Sequence, residues 1–131
     1  MKKWISLILL TAALPIMAQS KMVHNGCHYQ GDVANGKPHG KGVLTCPDGR
    51  IYTGEFAQGE FHGTGQFVSP NAPNVFLSPF GMRSGKLKGF VLNGKFRHGS
   101  AVGTFKVYQN GKHLLNMVFD KGMLKNVTAA K

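Results

Sequence analysis

A repeat of 23 residues is the feature of this chain that most limits how it can fold. Tyr29 opens the first copy and Tyr52 the second, so the period is 52 − 29 = 23 residues. The residues between the matching positions differ, which indicates a duplicated structural unit and not a low-complexity sequence. The matching positions are Tyr29, Gly31, Gly36, His39, Gly40 and Gly42 in the first copy and Tyr52, Gly54, Gly59, His62, Gly63 and Gly65 in the second.

Each copy has the pattern of a β-hairpin. A short strand, "YQGDVA" or "YTGEFA", leads into a turn at "NGKP" or "QGEF". A second strand follows, "KGVLTC" or "TGQFVS", and "PDGR" connects the first hairpin to the next. Alternating side chains with Asn-Gly or Asp-Gly between them are typical of hairpins. The sequence therefore predicts an all-β fold of successive antiparallel hairpins.

Two weaker units extend the pattern. In "GFVLNGKFRHG", residues 89–99, Gly89 matches the strand glycine, Gly94 the turn glycine and His98-Gly99 the His-Gly pair. In "LLNMVFDKGMLKN", residues 114–126, Phe119 stands where Phe56 stood, and a degenerate last unit is typical of a repeat array. The predicted units are residues 29–51, 52–69, 87–112 and 113–128, with an insertion at about 69–88.

The motif "YxGxxxxGxxHGxGxxxxxDG", followed by another Tyr-x-Gly, resembles the MORN (membrane occupation and recognition nexus) repeat. The first two units match it nearly fully, the third partially and the fourth only by pattern. The resemblance implies stacked hairpins that form one elongated, twisted antiparallel sheet. It also implies a scaffold, a dimerisation element or a lipid-proximal binding module without cofactors.

Glycines at mid-strand positions need an explanation, because glycine normally weakens a sheet. Gly31, Gly54 and Gly89 are predicted to lie there, and we expect a neighbouring aromatic side chain to lie across each of them. The aromatic residues available for this are Tyr29, Tyr52, Phe56, Phe67, Phe90, Phe96 and Phe105.

The three His-Gly pairs allow two interpretations. His39, His62 and His98 are either parts of a site or residues that follow a repeated turn. A reaction needs one converged set of groups, and catalytic groups are not expected at every repeat. We therefore predict a structural role for all three histidines.

The N-terminus has the pattern of a secretory signal peptide. Lys2 and Lys3 precede the apolar stretch "ISLILLTAALPIM", and Ala18 offers a small residue before a cleavage site. The predicted organisation is a signal peptide at residues 1–18 and one β domain at 19–131, in the periplasm or secreted from a bacterial cell envelope. The alternative, an uncleaved membrane anchor, lacks a second apolar segment to support it.

The two cysteines are predicted to form a disulfide. An exported chain meets an oxidising compartment, and a turn near Asn35-Gly36-Lys37 places Cys27 almost opposite Cys46 on paired strands. The competing interpretation is a metal site formed by Cys27, His28, His39 and Cys46, but that spacing matches no common ligand pattern.

Charge divides the chain into unequal halves. Residues 19–82 have four basic and four acidic side chains, whereas residues 83–131 have ten basic side chains and one acidic, Asp120. Without Lys2 and Lys3 the formal charge is +11 − 2 = +9. This asymmetry predicts an anionic partner such as an envelope lipid or polyanion, with nucleic acid not expected. A basic surface without a dedicated partner is the alternative.

The insertion is both apolar and basic, and its prolines predict a loop. An apolar tip beside basic residues is typical of an interfacial membrane contact. Alternatively, Phe76 and Phe80 fold back to cover one face of the thin sheet, which is the interpretation we favour. The candidate binding residues are Phe76, Phe80, Arg83, Lys86, Lys88, Lys95, Arg97 and Lys106.

The sequence gives no catalytic, cofactor or metal motif. It has five acidic residues without a convincing acid–base pair, and its glycines are followed by no predicted helix. We therefore predict a non-enzymatic exported scaffold or binding module. It would present a face of the sheet and its basic C-terminal half to an envelope protein or an anionic partner. The alternatives are a self-assembling homodimer without lipid binding and, less favoured, a small enzyme or inhibitor.

Overall fold

The computed structural model describes residues 18–131, of which most lie in one open antiparallel sheet of nine strands. The predicted signal peptide lies outside the described residues apart from Ala18, with which β1 begins. The sheet order is β1-β2-β3-β4-β5-β8-β9-β10-β11, so each strand pairs with its neighbour in sequence except across the insertion. The strands are β1 (Ala18–His24), β2 (Cys27–Ala34), β3 (Lys37–Thr45), β4 (Ile51–Ala57), β5 (Glu60–Val68), β6 (Phe76–Leu77), β7 (Met82–Arg83), β8 (Val91–Arg97), β9 (Ser100–Gln109), β10 (Lys112–Asp120) and β11 (Met123–Ala129).

Six two-residue turns produce this simple order. Both residues of each turn have a positive φ, the conformation of a type I′ hairpin turn, which suits the twist of paired strands. Asn and Gly adopt it readily, and Gln58, His98 and Lys121 also adopt it, each with a glycine as the second turn residue. The turns are Asn25-Gly26, Asn35-Gly36, Gln58-Gly59, His98-Gly99, Asn110-Gly111 and Lys121-Gly122.

Three of these turns also fasten one hairpin to the next. The backbone N–H of Gly59 donates to the carbonyl of Pro38 at 2.8 Å, and the N–H of Gly99 donates to Phe61 at 3.0 Å. The N–H of Gly122 donates to Ala101 at 2.9 Å. Each acceptor lies two residues after the turn glycine of the preceding hairpin, so the repeat includes its own stacking contact.

The glycines form one row across five strands. Gly31 pairs with Gly42, Gly42 with Gly54, Gly54 with Gly65, and Gly65 with Gly94. Side chains directly opposite each other in a sheet share a face. In the first two units a tyrosine ring fills the space that the glycines leave. A Cβ on Gly42 would lie 2.3 Å from the hydroxyl of Tyr29, and a Cβ on Gly65 would lie 2.4 Å from the hydroxyl of Tyr52.

The prediction that aromatic rings shield glycines is therefore confirmed, but the shielded glycines are not the ones that were predicted. The rings lie over the second-strand glycines, and the missing Cβ of Gly31 would instead meet the Cα of Gly42 at 2.4 Å. Each tyrosine hydroxyl then donates to the carbonyl of the residue directly after the first-strand glycine. The acceptors are Asp32 at 2.6 Å and Glu55 at 2.7 Å.

The predicted alignment of the third unit is wrong. Gly94 lies in the middle of β8 in the glycine row, and the turn falls at His98-Gly99. Gly89 lies in the connection before β8 and not in a strand. The Asn93-Gly94 pair has the composition of a turn, but pairing with Gly65 and packing under Phe105 hold it extended.

Two further differences concern strand ends. β1 was not predicted, although Asn25-Gly26 supplied the turn signal between it and β2. β3 and β5 begin directly after their two-residue turns, so His39 and His62, which were predicted to lie between the turn and the second strand, lie inside that strand. Four-residue turns were expected because the prediction treated Lys37 and Pro38 as part of the loop.

Candidate functional surfaces

The face of the sheet that carries the aromatic residues is a closed core. Tyr29, Tyr52, Phe67 and Phe105 are all almost fully buried on it. Neighbouring rings meet mostly edge to face, as in the contact between Phe96 and Phe105, whose centroids are 5.2 Å apart. The aromatic side chains of this face are therefore taken up by packing within the chain.

The insertion covers this face, and Phe80 is its central anchor. Phe80 is fully buried, and its ring centroid lies 5.1 Å from that of Phe67 and 5.3 Å from that of Phe105. Leu77 and Leu87 from the same insertion are buried beside it. The predicted role of Phe80 as cover is confirmed, and its alternative role as an exposed binding residue is wrong, because its side chain reaches no solvent.

Buried Ser84 fixes the conformation of the insertion. Its hydroxyl donates to the carbonyl of Ala72 and accepts the backbone N–H of Val75 at 3.0 Å. Its own N–H donates to the carbonyl of Val75 at 2.8 Å. These bonds brace the two-stranded ribbon of β6 and β7, in which Phe76 pairs with Arg83. The insertion is thus a locked structure, in spite of its three prolines.

Four exposed residues of the insertion are apolar or basic, and we call them together the insertion patch: Phe76, Arg83, Lys86 and Lys88. Phe76 is 51% exposed, so the prediction that it folds back over the sheet together with Phe80 is wrong. The Arg83 guanidinium carbon lies 5.9 Å from the centroid of the Phe76 ring, within the range of a cation–π contact. Both lysines are exposed, and residues 69–90 contain no acidic side chain. The patch therefore combines an aromatic anchor with charge of one sign.

The remaining candidates lie on the opposite face of the sheet. Lys95 precedes buried Phe96, and Lys106 stands between buried Phe105 and Val107. Because successive side chains of a strand point to opposite faces, Lys95, Arg97 and Lys106 point away from the core and from the insertion. The structure thus separates the candidate residues into two surfaces, which cannot both meet one flat partner.

This outer face also contains polar residues that the sequence analysis did not single out. They form an open groove of about 1020 Å³ whose floor is the glycine row. The sequence signal for these residues is the alternation of outward-facing polar and inward-facing apolar positions in each strand. The polar side chains that line the groove are Gln30, Lys41, Thr53, Glu55, Thr64, Gln66 and Asn93.

The histidines have structural surroundings. Nδ1 of His39 accepts the backbone N–H of Gln58 at 3.1 Å, which links the first hairpin to the turn of the second. The rings of His62 and His98 lie 5.9 Å apart, and Nδ1 of exposed His98 lies 3.7 Å from a carboxylate oxygen of Glu60. These three histidines do not converge with a nucleophile, and His98 occupies a turn instead of following one.

The cysteines form the predicted disulfide, Cys27 to Cys46, with their Cα atoms 4.3 Å apart. The bond lies at one wall of a hollow of about 320 Å³ that is also lined by Ser78 and Pro79 from the middle of the insertion. His24 at its rim is hydrogen-bonded through Nε2 to the carbonyl of Gly59 at 2.7 Å. The competing metal site is excluded at these cysteines, because bonded sulfurs are not available as thiolate ligands.

Burial and nearby charge perturb a few titratable groups. Burial of Tyr52 raises the pKa of its phenol well above the usual value, and the charge of Glu55 adds to this. Burial and the Asp32 charge also raise the pKa of Tyr29. The hydrogen bond from Arg50 lowers the pKa of Asp48 in the turn after β3. All of these groups stabilise hairpins, and none lies in the insertion patch.

Across residues 18–131, no three His, Cys, Asp or Glu side chains are grouped closely enough to hold a metal ion. In the same part of the chain, no helix is both long and apolar enough to cross a membrane. The exposed side chains of the described surfaces offer ion pairing and apolar contact at the insertion patch, and hydrogen bonding in the groove.

These features define a repeat protein: hairpins of one type stack into a single open sheet, and a locked insertion closes one face. The family model of the MORN repeat matches residues 29–49 and 52–71, which are the first two hairpin units. The resemblance seen in the sequence is confirmed at those residues, and β8 to β11 continue the same sheet beyond them. MORN repeats are generally non-enzymatic binding or scaffold units. No curated protein sequence matches the chain.

Proposed function

We propose that this protein is a non-enzymatic module of the bacterial cell envelope that docks on anionic groups through its insertion patch. The observation that carries the proposal is the pairing of half-exposed Phe76 with Arg83 on a ribbon braced by buried Ser84. The partner chemistry is that of phosphate or sulfate groups, on lipid headgroups or on a polyanion. A localisation in the periplasm or outside the cell is part of the same proposal.

Rigidity supports this function. An aromatic side chain that is already held at the surface loses little conformational entropy when it enters a membrane interface. Phe76 would enter the boundary between headgroups and acyl chains, while Arg83, Lys86 and Lys88 meet the anionic headgroups. Each basic residue near such a surface contributes about 1 kcal/mol.

Co-sedimentation with vesicles tests the proposal. At physiological ionic strength the chain is expected to bind anionic vesicles and not neutral ones. The triple variant Arg83→Gln/Lys86→Gln/Lys88→Gln is expected to lose roughly 3 kcal/mol, which is about 100-fold or more in affinity. Phe76→Ala is expected to weaken vesicle binding by roughly tenfold, since it removes the apolar contact.

The opposite face supplies a matched control. Lys95→Gln/Arg97→Gln/Lys106→Gln removes the same charge, but screening over about 8 Å limits its influence on the other side of the sheet. It is expected to retain nearly all binding. Equal loss in the two triple variants would show that net charge, and not the patch, drives association.

A soluble polyphosphate distinguishes the two sources of anionic groups. If lipid is the partner, Phe76→Ala weakens binding to vesicles, and polyphosphate competes poorly with them. If a polyanion is the partner, polyphosphate binds as tightly as vesicles do, and Phe76→Ala has little effect on it. Failure to prefer anionic over neutral vesicles, together with no polyphosphate binding, would refute the proposal.

Self-association is the second candidate function, and the exposure of β11 favours it. This strand is the last of the sheet, and apolar Met123, Leu124 and Val127 are exposed along it. An unpaired strand edge is a template for another strand. A dimer formed there would double in mass by light scattering and return to monomer when Val127 is replaced by Lys. A monomer at high concentration would exclude this function.

A further inference from the structure

The glycine row coincides with a line of strand irregularities. The pairing register shifts between Gly31 and Val33, again between Gly54 and Phe56, and again between Asn93 and Lys95. A bulge bends its strand. Because the three irregularities lie beside the same row, the bends are aligned across the strands. This alignment accounts for the groove on the outer face, which runs across β2, β3, β4, β5 and β8.

One wall of the groove is a continuous row of cross-strand neighbours. Gln30 pairs with Val43, Val43 with Thr53, Thr53 with Gln66, and Gln66 with Asn93. The other wall is formed by Lys41, Glu55 and Thr64. Each of the five strands thus contributes one side chain to the first wall, and four of those five side chains have groups that can donate or accept a hydrogen bond.

The hydrogen-bonding groups of this wall are not used by the fold. Gln30, Thr53 and Gln66 are exposed, and within the described part of the chain their side chains make no hydrogen bond. Oδ1 of Asn93, at the end of the row, is buried and has no partner there either. The wall therefore presents amides and a hydroxyl held at fixed spacing by the backbone pairing.

The groove has no net charge. Its charged lining residues are Lys41 and Glu55, which are direct cross-strand neighbours. Glu55 is also engaged with the backbone, accepting the N–H of Thr64 at 3.3 Å. Beyond the groove, the two rows continue to Lys95, which pairs with Thr64, and to Lys106, which pairs with Asn93. Within the groove itself the two charges balance, so its lining favours an uncharged partner with many hydroxyl or amide groups.

The spacing of the groups restricts the partner further. Neighbouring strands lie about 4.8 Å apart, so the wall offers one position every ~4.8 Å over about 19 Å. A β-1,4-linked pyranose chain advances by nearly this distance with each sugar. An extended peptide advances about 3.3 Å per residue and falls out of step within two strands.

From this match we propose that the groove binds an unbranched, uncharged polysaccharide chain, with about four sugars lying across the strands. Sugar hydroxyl and acetamido groups would bond Gln30, Thr53 and Gln66, and the glycine floor would let the chain lie close to the backbone. The site is separate from the insertion patch and does not depend on the anionic docking proposed above.

An NMR titration of the ¹⁵N-labelled chain tests this. The probes are the tetramer and the dimer of β-1,4-linked N-acetylglucosamine, with cellotetraose as a probe that lacks acetamido groups. We expect amide shifts from the tetramer confined to the groove strands, and about tenfold weaker binding of the dimer, which spans half of the wall.

Variants distinguish the groove from other surfaces. Thr53→Ala/Gln66→Ala, at exposed positions that leave the core intact, is expected to weaken tetramer binding by about tenfold or more. Thr45→Ala/Gln109→Ala makes the same chemical change outside the groove and is expected to leave binding unchanged. The triple variant of Arg83, Lys86 and Lys88 is also expected to bind the tetramer normally, so this test and the vesicle test can fail independently.

Several results would overturn the proposal. These are the absence of groove shifts with both tetramers at their solubility limits, and equal weakening in the groove variant and its control. Groove shifts with polyphosphate or an extended peptide, but not with either tetramer, would assign the groove to another class of partner.

Discussion

The two faces of the sheet are made from alternate residues of the same strands, but they have opposite properties. On one face, rings from Tyr29 to Phe119 form a core, and Phe80 seals it. On the other, the strands present amides, hydroxyls and lysines to solvent. The repeat accounts for the stacking, whereas the insertion decides which face stays open. Function in such a sheet is therefore expected on the insertion and on the uncovered face.

A second comparison, within the aromatic face, shows what the repeat preserves. In the second unit Tyr52 of the first strand covers Gly65 of the second. In the third unit Leu92 takes the tyrosine position, and Phe105 of the second strand covers Gly94, with its ring 2.7 Å from where a Cβ would be. The aromatic residue has changed strands, but the space beside the glycine is still filled.

The largest expected effect comes from opening the covered face. Phe80→Ala removes the ring that contacts four others and leaves a cavity beneath the insertion, so we expect a loss of about 4 kcal/mol in unfolding free energy. Chemical denaturation measures it. A loss below about 1 kcal/mol would mean that the core closes without the insertion.

The disulfide should matter next, and at the other end of the sheet. Cys27→Ser/Cys46→Ser opens a loop of sequence separation 19 and is expected to cost about 3 kcal/mol. Hydrogen exchange should rise mainly in β1 to β3. Loosening that is instead spread evenly over all strands would show that the two ends do not behave as separate regions.

The comparison of the second and third units can be tested by giving the second unit the residues that cover glycine in the third. Gly65→Phe alone forces a side chain into the Tyr52 ring and should cost about 2 to 3 kcal/mol. Adding Tyr52→Leu recreates the arrangement of the third unit, so the double variant should be more stable than the two single losses predict when added. Simple additivity of the two changes would contradict the shared-space interpretation.

The smallest expected effect is a pH dependence of the second unit. Burial raises the pKa of Tyr52 above 10.0, so above pH 10 the unfolded chain releases this proton before the folded chain does. The folded state then binds more protons, and stability falls as pH rises. Tyr52→Phe should flatten the curve of unfolding free energy above pH 10. An unchanged slope would show that the hydroxyl ionises equally in both states.

The sequence pattern predicted the fold correctly where the local preference of the residues for a turn or a strand agrees with their tertiary contacts. The first two hairpins have Gly at turn and row positions, so their register followed from the 23-residue period. The predicted alignment of the third unit was wrong because Asn93-Gly94 has the composition of a turn. In the structure, the pairing of Gly94 with Gly65 holds these two residues in a strand. The tertiary contact overrode the local preference there.

The candidate surfaces were only half predictable for the same reason. Phe76 and Phe80 stand in similar apolar surroundings in sequence, and only the packed structure shows that one is exposed and the other buried. Alternation around Phe96 and Phe105 was enough to place Lys95 and Lys106 on the outer face. It said nothing about which face the insertion would cover, because that depends on how a proline-rich segment folds back.

The central claim, that the insertion patch and not the outer face meets an anionic surface, can be tested by fluorescence. Trp4 is the only tryptophan of the chain, so Trp4→Phe provides a silent background. In that background, Phe76→Trp should shift its emission to the blue with anionic vesicles and not with neutral ones, while Thr53→Trp in the groove should not shift. A shift of the Thr53→Trp probe without one at Phe76→Trp would contradict the account.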